Sequence, residues 1–552
     1  MGQRCFDAWP ARARERHPTL MSTQSLSLGP RLVERPGDSG VTLIGALDDQ
    51  APTSLDRGGL VQPYGASFSI DWWIGADDRW YFPSREATVR QRRLGPGPVI
   101  ETAVRIPSGD ALHRCYPVSV GGGTATVIEI ENDSPVPVAL AMAIRPYDIA
   151  GRSSHAPVAI TDDRVTVGDA IALCLPRRAN ERLATNREAA DIVVAGTALT
   201  GAAECAGEQP NGVVLYPLPH RTKLRFVVPD GPRPIDPSSV PDSDAVQRGW
   251  ASVVERGGRF DLPDNGLGER AGAARARLLL ANDDFADRLA AFAPGVGRVF
   301  EALVVSGAST DLRVPLLTLA SSFPRRLEHP PAAAAAVVAG AGRAVAVLDD
   351  GAMAEELLEV LAATTKLVER SGDQEATADA FRGLGWALLA AGQPEPAADL
   401  FGRADVLATS RSDVGADLEA LTPIFEAASA AGSWGLDDDI AAAATFWLGV
   451  RGLAVAETPD RLHLLPSFPT AWRGGSVEVH EAATTHGKAS FAIRWHGYRP
   501  ALLWDLDLHR GVEVRCPALD PEWSTTEPKG EALLAGVADE LPAPPAEGES
   551  FA

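Results

Sequence analysis

The stretch TATVIEIENDSPVPVALAMAIRP, residues 124–146, decides how the first half of the chain reads. Thr126, Ile128 and Ile130 alternate along it, Asn132-Asp133-Ser134-Pro135 has the composition of a turn, and Val136, Val138, Leu140, Met142 and Ile144 alternate again. A period of two puts every second side chain on one face of a strand, so the stretch predicts a β-hairpin with one buried face. Working outward, VIETAVRIP (99–107), VVLYPL (213–218) and KLRFVVP (223–229) repeat the strand pattern between turn-rich connections. Residues 41–229 therefore read as a large antiparallel β-sandwich. Gly121-Gly122-Gly123 precedes a strand rather than a helix, which removes a phosphate-cradling loop.

A linker rich in Pro, Asp and Ser, 230–243, separates this region from one of helical period, 244–455. There apolar residues recur three and four apart, as in Leu267, Ala271, Ala274 and Leu278, or Phe381, Leu384 and Leu388. Breakers such as Ser322-Phe323-Pro324 and Gly392-Gln393-Pro394 divide it into about eleven or twelve short helices, which would pack as successive hairpins. Residues 384–405 look like a single tetratricopeptide unit, but no second copy follows and a solenoid needs several. In 456–515 the period returns to two: Val477 and Val479, then a turn at His486-Gly487, then Phe491, Ile493 and Trp495. The expected fold class is multidomain β + α: an N-terminal antiparallel β-sandwich, a central (α/α) helical-hairpin toroid and a small C-terminal β-sandwich. Residues 1–40 are poorly patterned, Met21 being a candidate start, and 516–552 read as a mostly disordered tail.

The 552 residues carry 73 acids against 51 bases, a net charge of −22, which would repel a nucleic-acid backbone or an anionic membrane surface. The longest apolar run, 330–342, stops at Arg343, short of the roughly 20 residues of a membrane span. No apolar core of a secretory signal is found near Met1. The five cysteines are odd in number and far apart, without a Cys-x-x-Cys pair, so the expectation is a cytoplasmic protein with neither metal nor other cofactor. His480, His486 and His496 invite a metal reading, but their places in the hairpin argue against convergence.

Two stretches carry a family resemblance. VQRGWASVVERGGRFDLPDNGLGERAGAARARLLLAND (246–283) resembles the junction between sandwich and toroid in the six-hairpin, (α/α)-toroid glycosidase superfamily. WGLDDDIAAAATFWLGVRGLAVAETPDRLHLLPSFPTAW (434–472) resembles the last toroid helix and the Leu-Pro-x-x-Pro-x-x-Trp entry to its C-terminal sandwich. The resemblance spans about 41–515 as architecture, and it implies a protein that hydrolyses or binds an oligosaccharide. The helical region has no room for the long loops of catalytic members, and its early helices lack a Trp-x-x-Asp segment, so the likeness is to a shortened form in which catalysis is an open question. The alternative is a non-catalytic structural or interaction protein whose helical array binds a protein partner.

Glycoside cleavage needs two carboxyl groups flanking the bond. Asp438, in the Asp437-Asp438-Asp439 run after Trp434, and Asp284, after the first toroid helix, are the candidate catalytic acids, placed on connections at the toroid rim; the same residues also suit the first turn of a helix. Trp434 and Asp437 are candidate sugar contacts. So are Trp72, Trp73 and Trp80 in DWWIGADDRWYFPSRE (71–86), where aromatic faces and charged groups interleave. The competing reading of 71–86 is packing with buried ion pairs. The oligomeric state is not legible.

Overall fold

A computed structural model describes residues 41–47, 52–121, 123–196, 203–263, 265–280, 295–306, 330–408, 440–469, 472–497 and 499–535. They divide into two compact units, with the break between Ala251 and Ser252.

The first unit is a sandwich of an eight-stranded and a nine-stranded antiparallel sheet. Strand Gly123–Asp133 is central in the nine-stranded sheet, between Gly109–Val120 and Lys223–Pro229. Strand Val138–Arg145 lies in the other sheet, between Ser69–Gly75 and Asn211–Leu218. The expected hairpin at 124–146 is thus corrected: its two strands form, but each pairs elsewhere, and the turn carries the chain from one sheet to the other. Asn132 organises that crossing, its buried side chain donating to the carbonyls of Val136 (2.7 Å) and Leu218 (3.0 Å). Ile128 and Ile130 on one strand and Val138, Leu140, Met142 and Ile144 on the other all point into one inter-sheet core.

Both sheets are also covered on their outer faces. Helix α1, Ala189–Val194, packs on the eight-stranded sheet over Ala141 and Ala143. Val240 and Ile235 of the expected linker pack on the nine-stranded sheet, and Arg225 donates to the Val240 carbonyl at 2.8 Å. That segment is therefore a fitted part of the sandwich. Helix α2, Ser243–Glu255, follows it, and Trp250 fits against Gly97, where a Cβ would collide with the indole.

The second unit holds α3 (Asn265–Leu279), α4 (Val296–Val305), α5 (Pro331–Leu348), α6 (Gly351–Glu369), α7 (Gln374–Ala390), α8 (Pro394–Leu407) and α9 (Ile440–Ala454). Helix α5 packs on α4, α6 and α7, and α9 packs on both α3 and α4. Gly297, Gly340, Gly342 and Gly383 let α4, α5 and α7 approach until backbone meets backbone. By length and apolarity alone α5 could cross a membrane, yet more than half of it is buried inside the protein.

Strands Val477–Thr484 and Gly487–His496 form the expected hairpin, with Val477 opposite Ile493 and Val479 opposite Phe491. Their five-stranded sheet also takes Arg259–Asp261 from the α2–α3 connection and Lys529–Leu533. A four-stranded sheet contains Asp520–Thr525. The β region accordingly runs to Leu533, beyond the expected end at Arg515. Lys529–Leu533 alternates between exposed and half-buried residues and is held by its backbone ladder rather than by apolar side chains, which is why its composition reads as a tail.

Candidate functional site

Within 71–86, strand Ser69–Gly75 sends its two tryptophans in opposite directions, because neighbouring residues face opposite sides of a sheet. Trp72 enters the inter-sheet core with no exposed surface; its Nε1 donates to the Gly58 carbonyl at 3.0 Å and its ring stacks on His113 at 5.1 Å. Burial pushes the His113 imidazole down to about 3, so it is neutral. Trp73 lies on the outer face, equally enclosed, against Phe82 (5.3 Å) and under the Arg145 guanidinium (5.4 Å). Neither ring is available to stack on a sugar, since both faces of this sheet are covered. Trp80 is half-buried against the same outer cluster.

Several polar residues of the segment bind one another. Arg79 grips Glu86 through two nitrogens (2.6 and 2.8 Å) and lies over the Tyr81 ring at 3.8 Å, while the Tyr81 hydroxyl donates to Asp78 at 2.7 Å. Asp71, which burial pushes upward, is opposed by Arg145; Arg145 in turn pairs with Glu188 at 2.7 Å and donates from Nε to the Tyr147 hydroxyl at 2.9 Å. Glu188 is also the residue that caps α1. This ionic group fastens the helix to the sheet.

Other buried carboxylates are paired with arginines or built into turns. On the nine-stranded sheet Arg114 pairs with Glu101 (2.9 Å), Glu129 (3.2 Å) and Glu131 (2.6 Å), and it holds Glu131 below the usual carboxylate range. In the second unit Glu457, 1% exposed, lies between Arg451 and Arg343 and is drawn down to about 2 against its own desolvation. Asp56 is pushed up to about 6 by burial, but its Oδ1 accepts the Gly58 and Leu60 amides at 2.8 Å each and so serves a turn. None of these is a protonated acid facing an opposed base across a cleft, the arrangement glycoside cleavage requires. The candidate acids Asp284 and Asp438, with Trp434 and Asp437, lie outside the described residues.

Of the three histidines in the C-terminal hairpin, His486 is buried with Nε2 at 2.8 Å from the Thr458 carbonyl, and His496 is exposed at its strand end. His480 lies beside Asp261 and Glu478 with metal-compatible spacing. Arg259 bridges Asp261 (2.9 Å) and His480 (2.8 Å), and Arg494 pairs with Glu478, so cations already occupy the group.

The two stretches that carry the family resemblance meet. Trp447 of α9 packs edge-on against Phe260 (5.1 Å) and under the Arg275 guanidinium (4.6 Å). Arg275 itself donates to the carbonyls of Val254 and Gly258 at the end of α2, where a positive charge is favoured. Pro263 lies close enough to Gly475 that a Cβ there would collide with its ring. These contacts are structural.

Two concave surfaces among the described residues are large enough to take a ligand. One groove, about 660 Å³, runs along α6, α7 and α8 past Phe381, Arg403 and the exposed Val406. A cleft of about 520 Å³ opens at one end of the sandwich, with Tyr64 on its rim. Sequence reasoning missed Tyr64; its signal was Pro63-Tyr64-Gly65, a turn that presents its central residue.

No protein-family model and no curated protein matches the sequence. Among solved structures, a bacterial glucoamylase complexed with acarbose is similar at TM-score 0.41 and 8% identity over 67% of this chain and 66% of the other. A GH78 family rhamnosidase of Bacillus sp. GL1 follows at TM-score 0.28 and 13% identity, covering 73% and 52%. A GH92 family glycosyl hydrolase stands at 0.23 and 9%, covering 67% and 54%. This chain spans less than two thirds of each of those chains. At such scores the likeness decides neither fold nor activity.

Proposed function

We propose that the chain is a carbohydrate-active protein of six-hairpin glycosidase type, which hydrolyses or binds an oligosaccharide. The observation that supports this reading is the seat of α9: it packs on α3 and α4, which brings the last described helix beside the first two, as a closing ring of helical hairpins requires. Trp447, Phe260 and Arg275 join there the two stretches that resemble the superfamily. In this reading Asp284 and Asp438 come from connections at one end of the toroid and flank the glycosidic bond, one as acid and one as base or nucleophile, with Trp434 stacked on the sugar and Asp437 accepting from its hydroxyls. The location is cytoplasmic; Cys115, Cys174 and Cys516 are buried free thiols, which suits a reducing compartment.

The test is hydrolysis of an oligosaccharide panel by the full chain and by Asp438→Asn and Asp284→Asn. Loss of turnover with unchanged melting temperature is expected of both variants. Turnover equal to the wild type in both would remove these residues from catalysis. The groove along α6–α8, with Val406 exposed, favours the second reading, a protein partner on the helical array. A chain that binds no sugar in a glycan array, and shows no sugar-induced rise in melting temperature, would move the assignment there.

A further inference from the structure

The cleft at the end of the sandwich is built by three separate turns. Tyr64 occupies the tip of the first, which Pro63 opens and Gly65, at φ +64°, completes; the Ala66 amide closes it on the Pro63 carbonyl at 3.1 Å. Tyr64 is 67% exposed, while its neighbour Ala66 packs against the inter-sheet core. Asp169 stands on the second turn, after Gly168 at φ +58°. Asp230 stands on the third, its amide bonded to the Thr124 carbonyl (3.1 Å) and its carboxylate accepting from the Thr124 hydroxyl (3.4 Å). Between them the lining includes apolar residues such as Ala125, Val167 and Ile171 and the Thr53–Thr126 hydroxyl pair at 2.7 Å.

The lining contains two carboxylates, hydroxyls, apolar groups that include Phe68 and Ile171, and the exposed Tyr64, and no Lys, Arg or His. An anionic ligand would meet only like charge, in a chain of net charge −22. A neutral polyhydroxylated ligand fits: its C–H face stacks on an aromatic ring while its hydroxyls donate to carboxylates. We propose that this cleft is a glycan-binding subsite, with Tyr64 stacked on one ring of a neutral oligosaccharide and Asp169 and Asp230 accepting its hydroxyls. The ligand class rests on the function proposed above; the site is separate from the carboxylates assigned there.

The test is calorimetric titration of the full chain with maltoheptaose, cellohexaose and mannohexaose. The wild type should bind at least one of them. For that sugar Tyr64→Ala should weaken binding by about fivefold to tenfold, the usual range for losing one aromatic stacking partner. Tyr64→Phe, which keeps the ring, should stay within about twofold. Asp169→Asn should weaken binding by a few fold. Because the ring is exposed, the melting temperature of Tyr64→Ala should match that of the wild type. Equal affinity in the wild type and Tyr64→Ala would overturn the subsite, and if Asp438→Asn had meanwhile lost hydrolysis the function would survive without it. Binding of none of the three sugars would overturn the subsite, whether or not turnover of another substrate were found.

Discussion

Glu457→Gln is the perturbation whose size follows most directly from the structure. The residue belongs to strand Val455–Thr458, immediately after α9. One carboxylate oxygen takes Arg451 at 2.5 Å and the other Arg343 at 2.9 Å; Arg451 also donates to the Ala483 carbonyl at 2.7 Å, and Arg343 reaches Glu301 at 3.1 Å. The two guanidiniums outweigh desolvation and lower the Glu457 carboxyl from 4.5 to about 2. By linkage that shift contributes about 3 kcal/mol to stability at neutral pH. The sign follows from the folded-state value being depressed: the contribution is complete above pH ~5 and is lost as pH falls from about 4.5 to about 2. Glutamine keeps the shape, removes the charge and leaves the buried Arg451 and the half-buried Arg343 without the anion between them, so a loss of about 3 kcal/mol is expected at pH 7. Urea denaturation followed by circular dichroism at 222 nm reads the helices that this residue ties to the C-terminal strands. The gap between wild type and variant should narrow to about half by pH 3, because the carboxylate is then protonated in the unfolded chain while the folded one is still mostly ionised. A gap below about 1 kcal/mol at pH 7, or one that does not change with pH, would refute the assigned ion network.

Trp72→Ala should cost about 3–5 kcal/mol through the cavity left in the inter-sheet core, read as a fall in melting temperature; sugar affinity in a variant that still folds should equal that of the wild type. Gly342→Ala should destabilise the helical unit by at least about 1–3 kcal/mol, since the new Cβ would press on the Gly383 carbonyl between α5 and α7; a thermal melt within error of the wild type would show that these helices are farther apart.

Much of the local structure was legible in the amino-acid sequence, because periodicity is a property of the chain itself. The alternation in 124–146 placed Ile128, Ile130, Leu140, Met142 and Ile144 on core-facing sides, and all of them face one core. The hairpin around His486 could be read as two strands and a turn, whereas its register could not: a bulge between Val479 and Ala482 shifts the pairing by one residue beyond the turn. Alternation assigns a face and says nothing of a partner, so it could not distinguish a hairpin from two strands in opposite sheets. That choice was made by the buried Asn132, whose bonds to Val136 and Leu218 exist only in the folded sandwich.

Exposure is likewise a property of what covers a residue. Trp72 and Trp73 sit in the segment densest in aromatic and charged residues, yet strands, α1 and Arg145 enclose them, whereas Tyr64, in an unremarked turn, stands on the rim of a cleft. The edge strand Lys529–Leu533 shows the same division: its composition favours no order, and backbone hydrogen bonds to Arg499–Leu508 supply it. Sequence determines which side chains can be buried together, through period and polarity; tertiary structure decides which ones are, because burial and backbone pairing are settled between segments far apart in the chain.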